Sequence, residues 1–186
     1  MNRRRFLLIP LLAMISQRVM AFLKVSPSDQ EGPFYPVVSI PLGSDLVHHA
    51  DGVAGGRHLE LKGRVINLQQ RPQSNIRIEI WQCDGSGRYR HPWAPGNDRV
   101  DAHFAGFGAV KTGWDGAYVF KTLIPVPYGG RPPHIHVKLF HDNRELLTSQ
   151  LYLKRQGSQY GSQPMVIDPS FIGENQWRAD FNFVIA

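Results

Sequence analysis

The sequence predicts an all-β fold, a β-sandwich core with Pro/Gly-rich loops and an N-terminal wrapping arm. Three observations carry this. Short runs rich in β-branched and aromatic residues recur along the chain, 14 prolines and 18 glycines punctuate them, and no stretch has the 3.6-residue period of an amphipathic helix. No internal repeat or low-complexity tract competes with that reading. In chain order, the predicted strands are His58 to Leu68, Ile76 to Cys83, Ala117 to Ile124, His134 to Phe140, Leu147 to Leu153 and Asp180 to Ile185. Within the second, Ile76, Ile78 and Ile80 alternate with Arg77, Glu79 and Trp81, the period-two pattern of a half-buried strand. Asp115-Gly116 reads as a tight hairpin turn before the Ala117 strand. Residues 22–56, broken by prolines, form the expected arm, and residues 57–186 the sandwich domain.

Composition narrows the function. At 186 residues and 42% hydrophobic, the chain suits one domain with a sizeable core. The formal charge of +6 invites a nucleic-acid reading, but Arg3, Arg4, Arg5 and Arg18 stand in residues 1–21 with no acid among them. Removing these four leaves about +2 on the remainder, too little to demand a polyanionic partner, so no nucleic acid is expected. The basic head precedes an apolar run, Leu7 to Ile15, too short for a bilayer span, and a small-residue end at Ala21. Arg3-Arg4-x-Phe6-Leu7 matches a twin-arginine signal, so residues 1–21 are expected to engage the twin-arginine export machinery and deliver a periplasmic or extracellular protein. The structural alternative is an N-terminal helix. Cys83 is the only cysteine, which excludes an intramolecular disulfide, and it reads as a small buried hydrophobe.

The chemistry concentrates between Tyr89 and His136. In Pro133-His134-Ile135-His136-Val137 the histidines are two apart in an extended run, so both imidazoles leave one face of a strand. A lone histidine would read as an ordinary polar residue. A same-face pair stiffened by Pro132 and Pro133 reads as metal-ligating, although two nitrogens suit zinc, copper or iron equally. Tyr89 and Tyr128 stand in or beside turns, where a scaffold places rings without filling its interior. Tyr118, Tyr152 and Tyr160 read as packing residues. His48, His49, His58, His103 and His141 lack partner spacing and read as surface or loop histidines.

Five segments, in this order, resemble the intradiol ring-cleavage dioxygenases. They are Glu31-Gly32-Pro33-Phe34-Tyr35-Pro36, Ile80-Trp81-Gln82-Cys83-Asp84 leading to Gly87-Arg88-Tyr89-Arg90-His91, Pro125-Val126-Pro127-Tyr128, Arg131-Pro132-Pro133-His134-Ile135-His136, and Thr148-Ser149-Gln150-Leu151. The Gly-Arg-Tyr-Arg-His string is most similar to the protocatechuate 3,4-dioxygenase branch, in its beta subunit. The resemblance implies an Fe(III) cofactor held by Tyr89, Tyr128, His134 and His136, with a water or hydroxide completing the shell. A hard trivalent ion favours anionic oxygen and deprotonates phenols whose free pKa is about 10, and two phenolates plus hydroxide cancel its charge. It also implies O2-dependent opening of a catechol-type diol to a muconate-type diacid, and a homo- or hetero-oligomer. Tyr128 would accept a substrate proton, and Arg131 would face the substrate ring as a fixed cation, oriented by Gln150. His91 and Gln82 would support the ligands, while Phe34 and Tyr35 would line the pocket mouth.

In one respect the chain departs from the family pattern. Only Gly129 and Gly130 separate Tyr128 from Arg131, where well-studied relatives carry a longer insertion, which implies a more open pocket with fewer groups to bind a substrate carboxylate. Simple, alkylated or polyphenolic catechols are therefore expected alongside protocatechuate. Two other classes share parts of the pattern. An exported, non-catalytic β-sandwich that binds a ligand would explain the strands and the leader but not the ordered Tyr, Tyr, Arg and His-x-His. A zinc or copper protein could use the His pair, yet no Glu, Met or Cys stands beside it to act as a base or soft ligand.

Overall fold

The computed structural model describes residues 23–154 and 165–186. The leader expected over residues 1–21, and Tyr160, lie outside the described residues. Twelve strands are formed: β1 (His48–His49), β2 (Gly52–Val53), β3 (His58–Asn67), β4 (Ile76–Trp81), β5 (Phe107–Lys111), β6 (Ala117–Leu123), β7 (His134–His141), β8 (Arg144–Leu153), β9 (Val166–Ile167), β10 (Ser170–Gly173), β11 (Gln176–Asp180) and β12 (Phe183–Ile185). The helical content of the described residues is a single 3₁₀ turn, Asn97–Arg99. No helix among them is long and apolar enough to cross a membrane.

Two five-stranded sheets face each other. The first runs β5-β4-β7-β8-β9. In the second, β3 pairs antiparallel with β6 and parallel with β11 and β12, and β10 closes the edge. Period-two alternation puts Leu59, Leu61, Val65 and Phe120 of the second sheet against Ile76, Ile78, Ile80, Ile135, Val137, Leu139 and Leu151 of the first. Each such side chain contributes roughly 1.5–3 kcal/mol on burial, and together they make the sandwich core.

The predicted strands appear, with differences that tertiary contacts explain. The final segment begins earlier than predicted and breaks at Phe181–Asn182, yet keeps one register along β3, with Asp180 opposite Lys62 and Phe183 opposite Val65. Strands β1, β2, β5, β9 and β10 lie outside the predicted runs; all are short, and β10 is an exposed edge. Asp115-Gly116 does form a tight turn, in which Gly116 adopts φ +73° and donates to the Gly113 carbonyl at 2.9 Å. It is not a hairpin within one sheet: it carries the chain from β5 in the first sheet to β6 in the second.

The expectation that β4 is half-buried is corrected. Trp81 is 1% exposed and Glu79 5%, so both faces of the strand are covered. The covering is the N-terminal segment. Ser26 exchanges hydrogen bonds with Val184 of β12, Asp29 N–H donates to the Thr148 carbonyl of β8, and the Arg77 guanidinium of β4 donates to the Ile40 carbonyl. Gly43 N–H then donates to the Ala109 carbonyl of β5, and Ser44 and Leu46 pair with Lys121 of β6. Residues 26–46 thus cross the outer face of the first sheet from β8 to β5 before joining the second. Beneath them lie the outward residues of three strands in lateral rows: Trp81, His136 and Gln150 in one, Glu79, Lys138 and Thr148 in the next.

Gly63 is required by the break in the final strand, because a Cβ there would stand 1.7 Å from the Phe181 carbonyl oxygen. Relief requires moving backbone, which costs more than rotating a side chain. Gly63→Ala is expected to lower stability by about 1–3 kcal/mol, read as a lower denaturation midpoint at unchanged slope.

Candidate metal centre

His134 opens β7 directly after Pro132-Pro133. Its Nδ1 lies 2.6 Å from the Pro132 carbonyl oxygen, so Nδ1 carries the proton and Nε2 presents a lone pair. His136 leaves the same face, opposite Ile135 and Val137, and the two Nε2 atoms stand 3.1 Å apart. Tyr128 Oη lies 3.5 Å from His134 Nε2. The Tyr89 ring meets Tyr128 edge-to-face at 5.0 Å and His136 at 6.1 Å between ring centroids. All four residues singled out as ligands are therefore gathered at one place.

Local chemistry explains how loops hold the phenols. Asp84 Oδ1 accepts from Ser86 and Arg88 N–H, and its Oδ2 accepts from Asp101 N–H, which locks the turn presenting Tyr89. The Arg90 guanidinium donates to the Asp101 and Phe104 carbonyls and closes the same loop. Tyr128 and Arg131 are joined by a turn in which Gly129 and Gly130 have φ +52° and +76° and the Arg131 N–H donates to the Tyr128 carbonyl at 2.7 Å. Positive φ at both central positions is the type I′ requirement, which glycine meets without strain. Nothing lies within 4 Å of a Cβ built at either glycine, so the turn is open on its outer side.

Burial sets the electrostatics. Desolvation pushes the Tyr89 phenol far above its ordinary pKa, with the Tyr128 phenol adding to the shift. It pulls both histidines below their ordinary value, and for His136 the neighbouring imidazole and Arg131 add to the effect. Burial thus favours the neutral forms of Tyr89, His134 and His136. Tyr89 Oη and His136 Nδ1 are buried without a hydrogen-bond partner among the described residues, which is costly in a protein interior. Among the described residues no three His, Cys, Asp or Glu side chains gather to hold a metal, so a metal here depends on the phenols. A multivalent cation would supply the partner that Tyr89 Oη lacks and engage the two facing Nε2 lone pairs, while His136 Nδ1 lies on the other side of its ring; the cation would also reverse the pKa logic, turning phenols into phenolates.

Around this cluster the predicted supporting residues divide. The Arg131 guanidinium donates to Gln150 Oε1 at 2.7 Å, and Gln150 Nε2 donates to the Gln30 carbonyl. Phe34 packs on Tyr89 at 4.9 Å and lines a cavity with Tyr89, Ala94, Pro95 and Tyr128. Tyr35, which follows the turn at Pro33-Phe34, does not: its hydroxyl donates to Glu79 Oε2 at 2.7 Å and its ring meets Trp81 edge-on. His91 lies behind Phe34, at 5.5 Å, and its Nδ1 accepts from Trp93 N–H. Gln82 is spent on the second sheet, accepting from the Thr122 hydroxyl and donating to the Leu123 carbonyl, so it supports the scaffold and not a ligand. Trp81 was missed. Its ring stacks on His136 at 4.9 Å and 8°, through a cross-strand register that no local pattern reveals. Tyr152, expected to pack, donates instead to Asp29 Oδ2 at 2.7 Å and lies beside Gln150 and His134. Of the histidines set aside, His48 meets Asp45, His58 the Ala54 carbonyl and His103 the His49 carbonyl.

Comparison with known proteins gives this arrangement a class. The family model described as Dioxygenase matches residues 30–180. The protocatechuate 3,4-dioxygenase beta chain of Burkholderia cepacia is 33% identical over 167 residues, covering 84% of this chain and 68% of that one. Catechol 1,2-dioxygenase 1 of Acinetobacter lwoffii is 30% identical over 149 residues, covering 69% of this chain and 46% of the relative, so the chain spans about half the length of that enzyme. Among solved structures, the dioxygenase domain of a dioxygenase carbohydrate-binding protein fusion from Streptomyces sp. SirexAA-E superposes with TM-score 0.70 at 27% identity, covering 87% of this chain and 97% of that one. The 3-chlorocatechol 1,2-dioxygenase of Rhodococcus opacus shares the fold with TM-score 0.68 at 21% identity, covering 86% of this chain and 72% of that one. Fold and family model define a dioxygenase. More narrowly, the chain belongs to the intradiol ring-cleavage dioxygenase family, a family of oxidoreductases.

Cys83 borders this centre, packed with Trp81, Tyr89 and Ala94 and donating weakly to the Val126 carbonyl. Burial pushes its thiol up to about 11. It is expected to resist a disulfide reagent at pH 8 in the folded protein and to react at once after denaturation, a difference that a thiol assay reads directly.

Proposed function

We propose that the chain is a non-haem Fe(III) dioxygenase that opens a catechol-type diol between its two hydroxyl carbons. Both atoms of O2 enter the product, a muconate-type dicarboxylic acid. The single observation that carries this reading is the convergence of two phenols and two imidazole Nε2 atoms, with Tyr89 Oη buried and unpartnered. Tyr89, Tyr128, His134 and His136 would hold the metal. The donor set, two oxygens that can ionise and two borderline nitrogens, fits a hard ferric ion better than a soft one. Bound there, iron would act as a Lewis acid and template that draws electron density from the diol ring toward reaction with O2.

The remaining roles fall to the chain itself. Tyr128, half-buried where Tyr89 is fully buried, stands at the cavity wall, and its Oη, if ionised by a bound cation, would be the atom to take a proton from an incoming diol hydroxyl and return to the neutral phenol. His134 is held in one tautomer by the Pro132 carbonyl, so its lone pair needs no reorganisation. Arg131, held by Gln150 Oε1, stands outside the lining of the cavity beside the phenols but within electrostatic reach of His134 and His136, where a fixed cation would stabilise negative charge on a diol bound between them.

Cavity chemistry bears on the substrate. A space of about 280 Å³ adjoins the phenols, lined by Phe34, Tyr89, Ala94, Pro95 and Tyr128 with two glycines, and no charged side chain is among its lining. Such a wall favours a catechol with no substituent or an apolar one over a carboxylate-bearing diol. The leader of residues 1–21 completes the proposal: twin-arginine export would carry the protein across the membrane already folded around its metal.

The iron-loaded protein is expected to take up oxygen with catechol or an alkyl-substituted catechol and form a diacid product, and to absorb visible light through phenolate-to-iron charge transfer. Replacing Tyr89 or Tyr128 by Phe should shift or bleach that band. A colourless, fully iron-loaded wild type, or no oxygen uptake across a broad diol panel, would count against the assignment.

A further inference from the structure

The two histidines of the centre are held differently. His134 is fixed by a hydrogen bond from Nδ1 to the Pro132 carbonyl, whereas His136 Nδ1 has no partner among the described residues. Metal-binding histidines are ordinarily oriented by such a bond, so something else must orient His136. Two packing contacts do. Trp81 stacks on the ring, and Gly32 approaches its edge so closely that a Cβ there would stand 3.0 Å from Cε1. Gly32 also has φ +75°, which favours glycine a second time. The placement of Gly32 depends on how residues 29–35 are fastened to the sheet.

The charged fastening on the Glu79 side of His136 is Lys138. It shares the outer face of β7 with His134 and His136, and its side chain is only 11% exposed. Its ammonium lies 2.5 Å from Glu31 Oε2 on the crossing segment and 3.0 Å from Glu145 Oε2 on β8. The Tyr35 ring lies 4.7 Å from the same ammonium, and the Tyr35 hydroxyl donates to Glu79, which the Arg77 guanidinium neutralises. A largely buried cation thus grips the crossing segment at residues 31 and 35, on either side of Pro33 and Phe34.

We infer that Lys138 is a positioning residue, which holds Glu31–Tyr35 in place and through that segment fixes Gly32 against His136 and Phe34 against Tyr89. The inference rests on the proposed metal site at His136. Lys138 touches neither substrate nor metal in this reading; it acts through the segment.

The two carboxylates on Lys138 allow a clean comparison, since both are about half exposed and can be hydrated when released. Glu31→Gln weakens the grip on the crossing segment, while Glu145→Gln weakens an equivalent pair within the sheet. In full-length iron-loaded protein, Glu31→Gln and Lys138→Met are expected to speed chymotrypsin cleavage after Phe34, the bond after Tyr35 being blocked by Pro36. They should also speed iron loss to a chelator on the order of ten-fold, and shift the visible band. Lys138→Arg and Glu145→Gln should match wild type in all three. Equal effects of Glu31→Gln and Glu145→Gln would overturn the inference, as would a Glu31→Gln protein indistinguishable from wild type. Should Lys138→Met fail to fold, the two glutamate variants decide alone. Should the wild type bind no iron, the iron reading fails by itself, and the cleavage comparison still decides whether Lys138 fastens the segment.

Discussion

A phenol and an imidazole nitrogen buried without partners constrain the rest of the structure. Interior polar atoms are almost always paired, and leaving one unpaired costs about 1–3 kcal/mol. Tyr89 Oη, His136 Nδ1 and Trp81 Nε1 break that rule within one cluster, beside a second phenol and a second imidazole. Desolvation keeps the phenol protonated and the imidazoles neutral, so the protein alone has no means of relieving the site. A cation between the rings would give Tyr89 Oη its partner and engage both Nε2 atoms, leaving His136 Nδ1 to be held by packing alone. The rigidity of the Asp84 turn, the two prolines before β7 and the double-glycine turn after Tyr128 can then be understood as the cost of keeping four donors converged before any ion arrives.

The same sheet serves two purposes through its two faces. Inward residues of β4, β7 and β8 build the sandwich core, while outward residues carry the candidate ligands and the ion pairs under the crossing segment. A strand that faces solvent cannot desolvate a histidine, so the covering segment is part of the electrostatics as well as of the packing. Its hydrogen bonds to β12, β8, β4, β5 and β6 spread that covering over both sheets.

What the sequence made legible was local. Period-two alternation located most of the long strands, His134 and His136 were placed on one face by their spacing, and ordered motifs brought Tyr89, Tyr128 and Arg131 to the same centre. What escaped was set by register between distant segments. Trp81 is forty-seven positions from Tyr128 yet belongs to the centre because β4 pairs with β7 so that Trp81 stands opposite His136. Tyr35 and Gln82 stand beside motif residues in sequence, but their side chains answer to Glu79 and Thr122 instead. Strand alternation was also ambiguous about burial: Arg77, Glu79 and Trp81 suggested a wet face because nothing local announces a covering segment from residues 26–46.

The turn between Tyr128 and Arg131 has a consequence for how such a pocket diversifies. Its two glycines bend outward into open space, while the residues on either side belong to the centre. Extra residues grafted at that tip would reach over the cavity without displacing a donor or a core side chain. The shape of the cavity mouth and the cluster of two phenols and two imidazoles are therefore separable here: one short connection can be rewritten by descent or by design while the side chains beneath it stay in place.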